Sequence, residues 1–218
     1  MKPGPANGRR KLLTGAGVAE VSRTMFLLIA ILVGFAAGLI SGGRPGNLVR
    51  VHLGWPVLIF VALVIQLGIF TSWLPVPRTL LPSLYILSNV IALVWLGRNI
   101  RIQGVPCVGL GAVSNLAAIV ANGGRMPVDG ALLARARGAA AETAVALGQS
   151  PSNSILKTSQ ARLPWLTDQF LLGPPFPFPT VFSIGDLLIG LGVAWLIAAG
   201  MRPAARVAAS PGNSNLAA

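Results

Sequence analysis

The sequence predicts an all-α protein, a membrane helical bundle with about five transmembrane helices and one long, partly helical connection. Three observations predict it. Of 218 residues, 54% are hydrophobic and only 10% are charged, with a mean hydropathy of +0.73, where a soluble domain carries about 25% charge. Five apolar stretches approach or reach the roughly 20 residues that cross a hydrocarbon core. The charge is lopsided, 17 Lys+Arg against 5 Asp+Glu. These basic residues are dispersed between apolar runs, which suits membrane-flanking loops and anionic headgroups better than nucleic acid. The expected partners are therefore the lipid bilayer and another membrane protein or a further copy of this chain, with no nucleic acid. The expected location is the plasma membrane.

In chain order, residues 1–23 are basic and Gly/Pro-rich with no long apolar period, which predicts a disordered tail. With the first apolar stretch they have the outline of a secretory signal, but that stretch is too long and "LISGGRPGN" is a poor cleavage site. Met25 is an alternative start. The spans fall at about 24–40, 55–74, 80–96, 104–121 and 182–200. The second carries Trp55 and Trp73 at its ends, as interfacial aromatics do. In the first, the spacing Gly34-x-x-x-Gly38 allows close packing on a neighbouring helix.

The long connection, 122–181, opens with "NGGRMPVDG", a turn signal. Residues 131–147 read as one alanine-rich helix, which "QSPSNS" ends. "ILKTSQARLPWLTDQFLL" then mixes bulky apolar and polar residues, as a short interfacial segment does. "GPPFPFPT" is extended by its prolines and sets Phe176 and Phe178 as interface anchors before the fifth span. Residues 201–218 read as a second disordered tail.

Eleven Lys and Arg lie on the N-terminal side of this topology and six on the other. Starting from Met25 the sides balance at six each. The short loops, which weigh most, then put the long connection outside and the C-terminus in the cytoplasm.

One cysteine, Cys107, and one histidine, His52, exclude an internal disulfide framework, a His/Cys zinc site and a Ser-His-Asp set facing the connection. No cofactor and no metal is expected. The carboxylates are Glu20, Asp129, Glu142, Asp168 and Asp186. Asp186 stands inside the fifth apolar run, where an ionised Asp at mid-helix costs about 2.5–3.5 kcal/mol. Near the N-terminal end that cost falls and the helix dipole favours an anion by about 0.3–1 kcal/mol. Asp186 is thus either a first-turn residue that starts the helix or a functional or inter-helix group. Asn115 and Asn122, two turns apart on one face, join Ser88, Asn89 and Gln66 as polar residues in apolar helices. They serve as hydrogen-bonding glue between helices, or Asn115, Asn122, Arg125 and Asp186 form a polar pocket at the membrane edge, Arg125 pairing with Asp186. "NGGR" has glycine amides suited to an anion nest but lacks the Lys-Ser/Thr of a P-loop.

At "SNLAAIVANGGRMPV" (114–128), "FSIGDLLIGLG" (182–192) and "GLISGGRPGNL" (38–48) the chain resembles a bacterial membrane-protein family known as domain-of-unknown-function family 5317 (DUF5317), over roughly residues 25–200. The resemblance implies a multi-pass membrane protein and no particular chemistry. A fainter resemblance is to lipoprotein signal peptidase, carried by Ser183-Ile184-Gly185-Asp186 and by Asp168 eighteen residues earlier. It implies a catalytic pair, Asp168 and Asp186, sharing a proton as aspartic proteases do. Ser183 and Gly185 stand where that family's motif has Asn and Ala. Ala118 and Ile119 stand where its Gly-Asn-x-x-Asp-Arg motif ends in Asp and Arg. Without the pair, Asp168 reads as a solvated side chain at the interface. The leading expectation is a non-enzymatic scaffold or small-ligand-binding bundle with its site between the fourth and fifth spans. An intramembrane aspartic peptidase is the alternative, and a small oligomeric transporter the third.

Overall fold

Long apolar runs set the main helices, and those beginning at residues 56, 81 and 105 open on proline, which fixes φ and needs no hydrogen bond in a first turn. In the computed structural model, which describes residues 26–70, 76–77, 79–148, 153–173, 176 and 179–203, five such helices form the frame. They are α1 (Phe26–Ile40), α2 (Pro56–Phe70), α3 (Leu81–Arg98), α4 (Val105–Ala121) and, last in the chain, α7 (Ile184–Gly200). Each falls within or close to an expected span. Residues 1–23, Met25, Trp73, Arg78, Phe178 and 204–218 lie outside the described residues. By length and composition α3, with 18 residues, is long and apolar enough to cross a membrane, and the other four are shorter apolar helices.

α2 packs on α3, α3 on α4 and α4 on α7. α1 runs parallel to α7, with Gly34 against Ala194 and Gly38 against Met201, the close approach the Gly-x-x-x-Gly spacing allows. The tightest seam is antiparallel, between α4 and α7. Gly104 (φ 88°) lies on Gly192 and Leu196, and Gly111 on Gly185 and Ile189. A Cβ at any of these glycines meets backbone or buried side chain, so the two helices touch main chain to main chain. Large side chains face outward along the frame: Leu32, Val57, Phe60, Val64 and Leu110 are 61–67% exposed.

The chain is mostly helical, but the connection differs from expectation in two ways. First, the single helix expected over 131–147 is two, α5 (Gly130–Arg137) and α6 (Ala139–Ala146). Gly138, at φ 84° and ψ 159°, separates them in a conformation that a side chain resists. The side chain of Asp129 caps α5 by accepting from Leu132 N at 3.0 Å. Second, the stretch read as interfacial and extended contributes β-structure, so the fold is not purely α-helical. β1 (Met126–Val128) pairs in parallel with β2 (Ser154–Leu156), and β3 (Phe170–Leu172) pairs antiparallel with β4 (Thr180–Phe182). Val128, Leu133, Val145 and Val181 give this cap its own small core. Phe176 is exposed.

The cap seats on one end of the helical frame. Met126 joins Ala118 and Ile119 of α4 and packs against Tyr85 and Ile86 of α3. Phe182 stacks on Phe26 of α1 at 5.2 Å between ring centres and tilts against Phe170 at 5.6 Å. At the opposite end Asn99, after α3, grips Gly54 in both directions. It accepts from Gly54 N at 2.7 Å and donates to Gly54 O at 3.0 Å, while the Arg98 guanidinium lies 5.6 Å from the Trp55 ring centre.

Candidate functional site

Asp186 begins α7. Ser183 Oγ accepts from Asp186 N at 3.0 Å, and Asp186 Oδ2 accepts from Ser183 N at 3.0 Å, a capping box that satisfies donors at the helix start. The first-turn reading of Asp186 therefore holds. Its other oxygen, Oδ1, accepts from Asn115 Nδ2 of α4 at 2.8 Å. Asn115 Oδ1 in turn lies 2.8 Å from Ser183 Oγ, whose single proton serves either that oxygen or Asp186 Oδ2 at 3.0 Å. Asp186 is thus both a helix cap and an inter-helix partner. The α4–α7 glycine seam makes this reach feasible.

The other expected members of the pocket turn elsewhere. Arg125 is exposed and makes no ion pair with Asp186. It follows Gly123 and Gly124 at positive φ, which turn the chain away from α4 before the guanidinium could fold back. Asn122 binds the connection instead, donating from Nδ2 to Arg162 O at 2.9 Å and accepting from Arg162 N at 2.9 Å. Asn115 and Asn122 share a helix but not a site.

Asp168 also departs from expectation. It is 4% exposed, not solvated. Its backbone is held between Pro127 O, which accepts from Asp168 N at 3.0 Å, and Asp129 N, which donates to Asp168 O at 3.0 Å. The cap thereby carries Asp168 into the same cavity that Asp186 lines.

That cavity, about 230 Å³, lies where the cap meets the frame. Tyr85 and Asn89 of α3 line it four residues apart. Ala112, Asn115 and Ile119 give one face of α4, and Asp186 and Ile189 one face of α7. Gln66 enters from α2, Phe26 from α1, and Met126, Asp168 and Thr180–Phe182 from the cap. Gln66 and Asn89 are polar residues already noted in the helices. Tyr85, Thr180 and Phe182 were not expected here, although the one tyrosine of the chain four residues before an asparagine in an apolar helix was a usable signal.

Hydrogen-bond direction is fixed for two amides of the cavity, Gln66 and Asn89. Ser88 Oγ donates to Tyr85 O at 2.8 Å, so it receives the Gln66 Nε2 proton at 3.3 Å. Asn89 Nδ2 donates to the same Tyr85 O at 2.7 Å. The amide nitrogens are thereby assigned, and Gln66 Oε1 and Asn89 Oδ1 have no partner among the described residues. Arg137 Nη2 donates to Thr180 Oγ1 at 3.3 Å and so reaches one wall from outside the lining. Among the described residues no group of three or more His, Cys, Asp or Glu side chains is placed to hold a metal ion.

A family model, described as a family of unknown function (DUF5317), matches residues 50–198. No curated protein and no solved structure matches the chain.

Proposed function

The chain belongs to the DUF5317 family of unknown function, and on that premise we propose a multi-pass plasma-membrane protein, with five spans, that binds a small polar molecule in the cavity between frame and cap. The carrying observation is the cavity itself: polar side chains from four apolar helices and from the cap converge on one space of about 230 Å³. Polar groups in apolar helices cost free energy where their hydrogen-bonding capacity is unmet, so Gln66 Oε1 and Asn89 Oδ1, which have no partner among the described residues, favour a ligand.

The membrane reading is supported by the outward large apolar side chains, which on a soluble monomer would far exceed a usual exposed patch. It is supported also by α3, only 11% of whose apolar window is buried. α4 and α7, at 17 residues each, meet the short end of the spanning range of about 17–25. Five spans put Gly46 and Gln160 on opposite faces. Single cysteines there, in a Cys107→Ser background, should label from opposite sides of sealed vesicles, and labelling from one side sinks the topology.

Binding is tested by thermal-shift screening of the purified full chain in detergent. Saturable stabilisers should be found for the native chain and lost in Ala112→Leu, whose side chain fills the cavity from α4. Stabilisers that act equally on both proteins would refute the site.

A second reading, an aspartic peptidase, is favoured by one observation: Asp168 and Asp186 line the same cavity. Against it, both oxygens of Asp186 already accept hydrogen bonds. Under this reading Asp168→Asn and Asp186→Asn each abolish cleavage of a lipoprotein precursor by folded protein, and survival of activity in either removes it.

A further inference from the structure

The direction of the hydrogen bonds around the cavity specifies the ligand more closely, and we infer that the cavity takes a small organic cation, a protonated amine carrying an apolar group. This rests on the cavity being a ligand site. The inner wall has its amide nitrogens turned into the protein. Gln66 Nε2 serves Ser88 and Asn89 Nδ2 serves Tyr85 O, which leaves Gln66 Oε1 and Asn89 Oδ1 as carbonyl acceptors with no partner among the described residues. Asn115 Nδ2 is likewise turned away, to Asp186. A ligand that satisfies Gln66 Oε1 and Asn89 Oδ1 must donate.

Charge points the same way. Asp168 and Asp186 line the cavity, and no Lys, Arg or His does. The nearby cation is Arg137, which touches Thr180 of the same wall. A lining with carboxylates and no cation favours a cationic ligand over an anion. The remaining lining is aromatic or aliphatic: the rings of Phe26, Tyr85 and Phe182 with Ile119, Met126 and Ile189. Ring faces attract an ammonium group and cover an apolar substituent. The volume of about 230 Å³ is below that of drug-sized pockets, about 300–1,000 Å³, so the amine is small.

The test uses the full chain in detergent and three matched series of probes: primary ammonium ions from methylammonium to 2-phenylethylammonium, the corresponding alcohols, and the corresponding carboxylates. Binding is read by calorimetry at fixed ionic strength. The expected result is saturable binding within the ammonium series alone, tightening with the apolar substituent. Gln66→Leu should weaken it about tenfold, the loss of one hydrogen bond to a charged donor, while the variant keeps the native melting temperature within a few degrees. Ammonium binding that Gln66→Leu and Asn89→Leu both leave unchanged overturns the inference. So does binding of the alcohols or carboxylates as tight as that of the amines, but such binding, if lost in Ala112→Leu, leaves the ligand-site reading standing. No binding by any series overturns both.

Discussion

Replacing Asn115 by alanine removes a side chain that ties α4 to Ser183 and Asp186 at the start of α7 by hydrogen bonds. Two contacts are lost: the bond from Nδ2 to Asp186 Oδ1 at 2.8 Å and the one from Ser183 Oγ to Oδ1 at 2.8 Å. A bond to a charged acceptor contributes about 1.5–3 kcal/mol and a neutral one about 0.5–1.5 kcal/mol. Two features reduce the loss. Ser183 Oγ keeps Asp186 Oδ2 as an alternative acceptor at 3.0 Å, and Asp186 Oδ1 faces a cavity where water replaces part of the lost donor. A net destabilisation of about 2 kcal/mol follows, and for a chain of this size it lowers Tm by about 4–8 °C. The assay is thermal unfolding of the purified chain in one fixed detergent, run as a double-mutant cycle with Asp186→Asn. The two changes share a bond, so they should be sub-additive, with a coupling of about 1 kcal/mol. A Tm drop below about 1 °C, or full additivity in the cycle, would show that the Asn115–Asp186 bond does not hold the site together.

Further outcomes follow from single contacts. Gly185→Ala should destabilise at least as much as Asn115→Ala, because its Cβ meets Asn115 Oδ1 and displaces the amide; it should also weaken any cavity ligand, read by the same calorimetry. Asn99→Ala should cost about 2–3 kcal/mol, since it strands the Gly54 N–H and C=O that Asn99 satisfies, and should leave ligand affinity unchanged because Asn99 lies at the far end of α3. Asp129→Ala removes the cap of α5 and should cost about 1 kcal/mol, seen as faster amide hydrogen exchange over Gly130–Arg137 while the exchange of α4 stays the same.

The helices of the frame were legible because each rests on one local property, a long apolar run. The capping box was legible in principle as well: Ser183 and Asp186 stand three residues apart ahead of an apolar run, the usual mark of a helix start, yet the motif also resembled a protease signature and Asp186 was read both ways. The cap was not legible. Its strands are three residues each, too short for any period to register. Gly138 sits within an alanine-rich run that otherwise reads as continuous helix. Asp168 could not be placed because its burial depends on β1 and the turn after Leu166 meeting through the bonds of Asp168 to Pro127 and Asp129. The failed Arg125–Asp186 pair has a similar cause: being on the same level is a matter of helix ends, whereas pairing depends on the direction in which Gly123 and Gly124 turn the chain.

One packing feature accounts for both the site and its floor. Gly104, the residue before α4, and Gly111 within it are seven apart, and Gly185 and Gly192 are seven apart in α7, two turns along one helix face. Their contact brings the two backbones together, which lets the short side chain of Asn115 reach Asp186 at one end of the seam. The same contact leaves room along the rest of it for few side chains, and the thiol of Cys107, which donates to Leu188 O at 3.2 Å, is the polar group found there among the described residues. On α3 the lining stops at Asn89, about 12 Å along the axis from Leu81 at 1.5 Å per residue, and the chain then reads "VIALVWLG" before Arg98. α7 beyond Asp186 reads "LLIGLGVAWLIAAG". On the reading that these helices span a bilayer, a polar space confined to the cap end, less than half-way across a hydrocarbon core of about 30 Å, suits holding a molecule rather than passing it through. Widening the seam would therefore join two effects that separate sites would keep apart: Gly111→Ala should loosen the grip of Asn115 on Asp186 and open the floor, so that both stability and ligand affinity fall together.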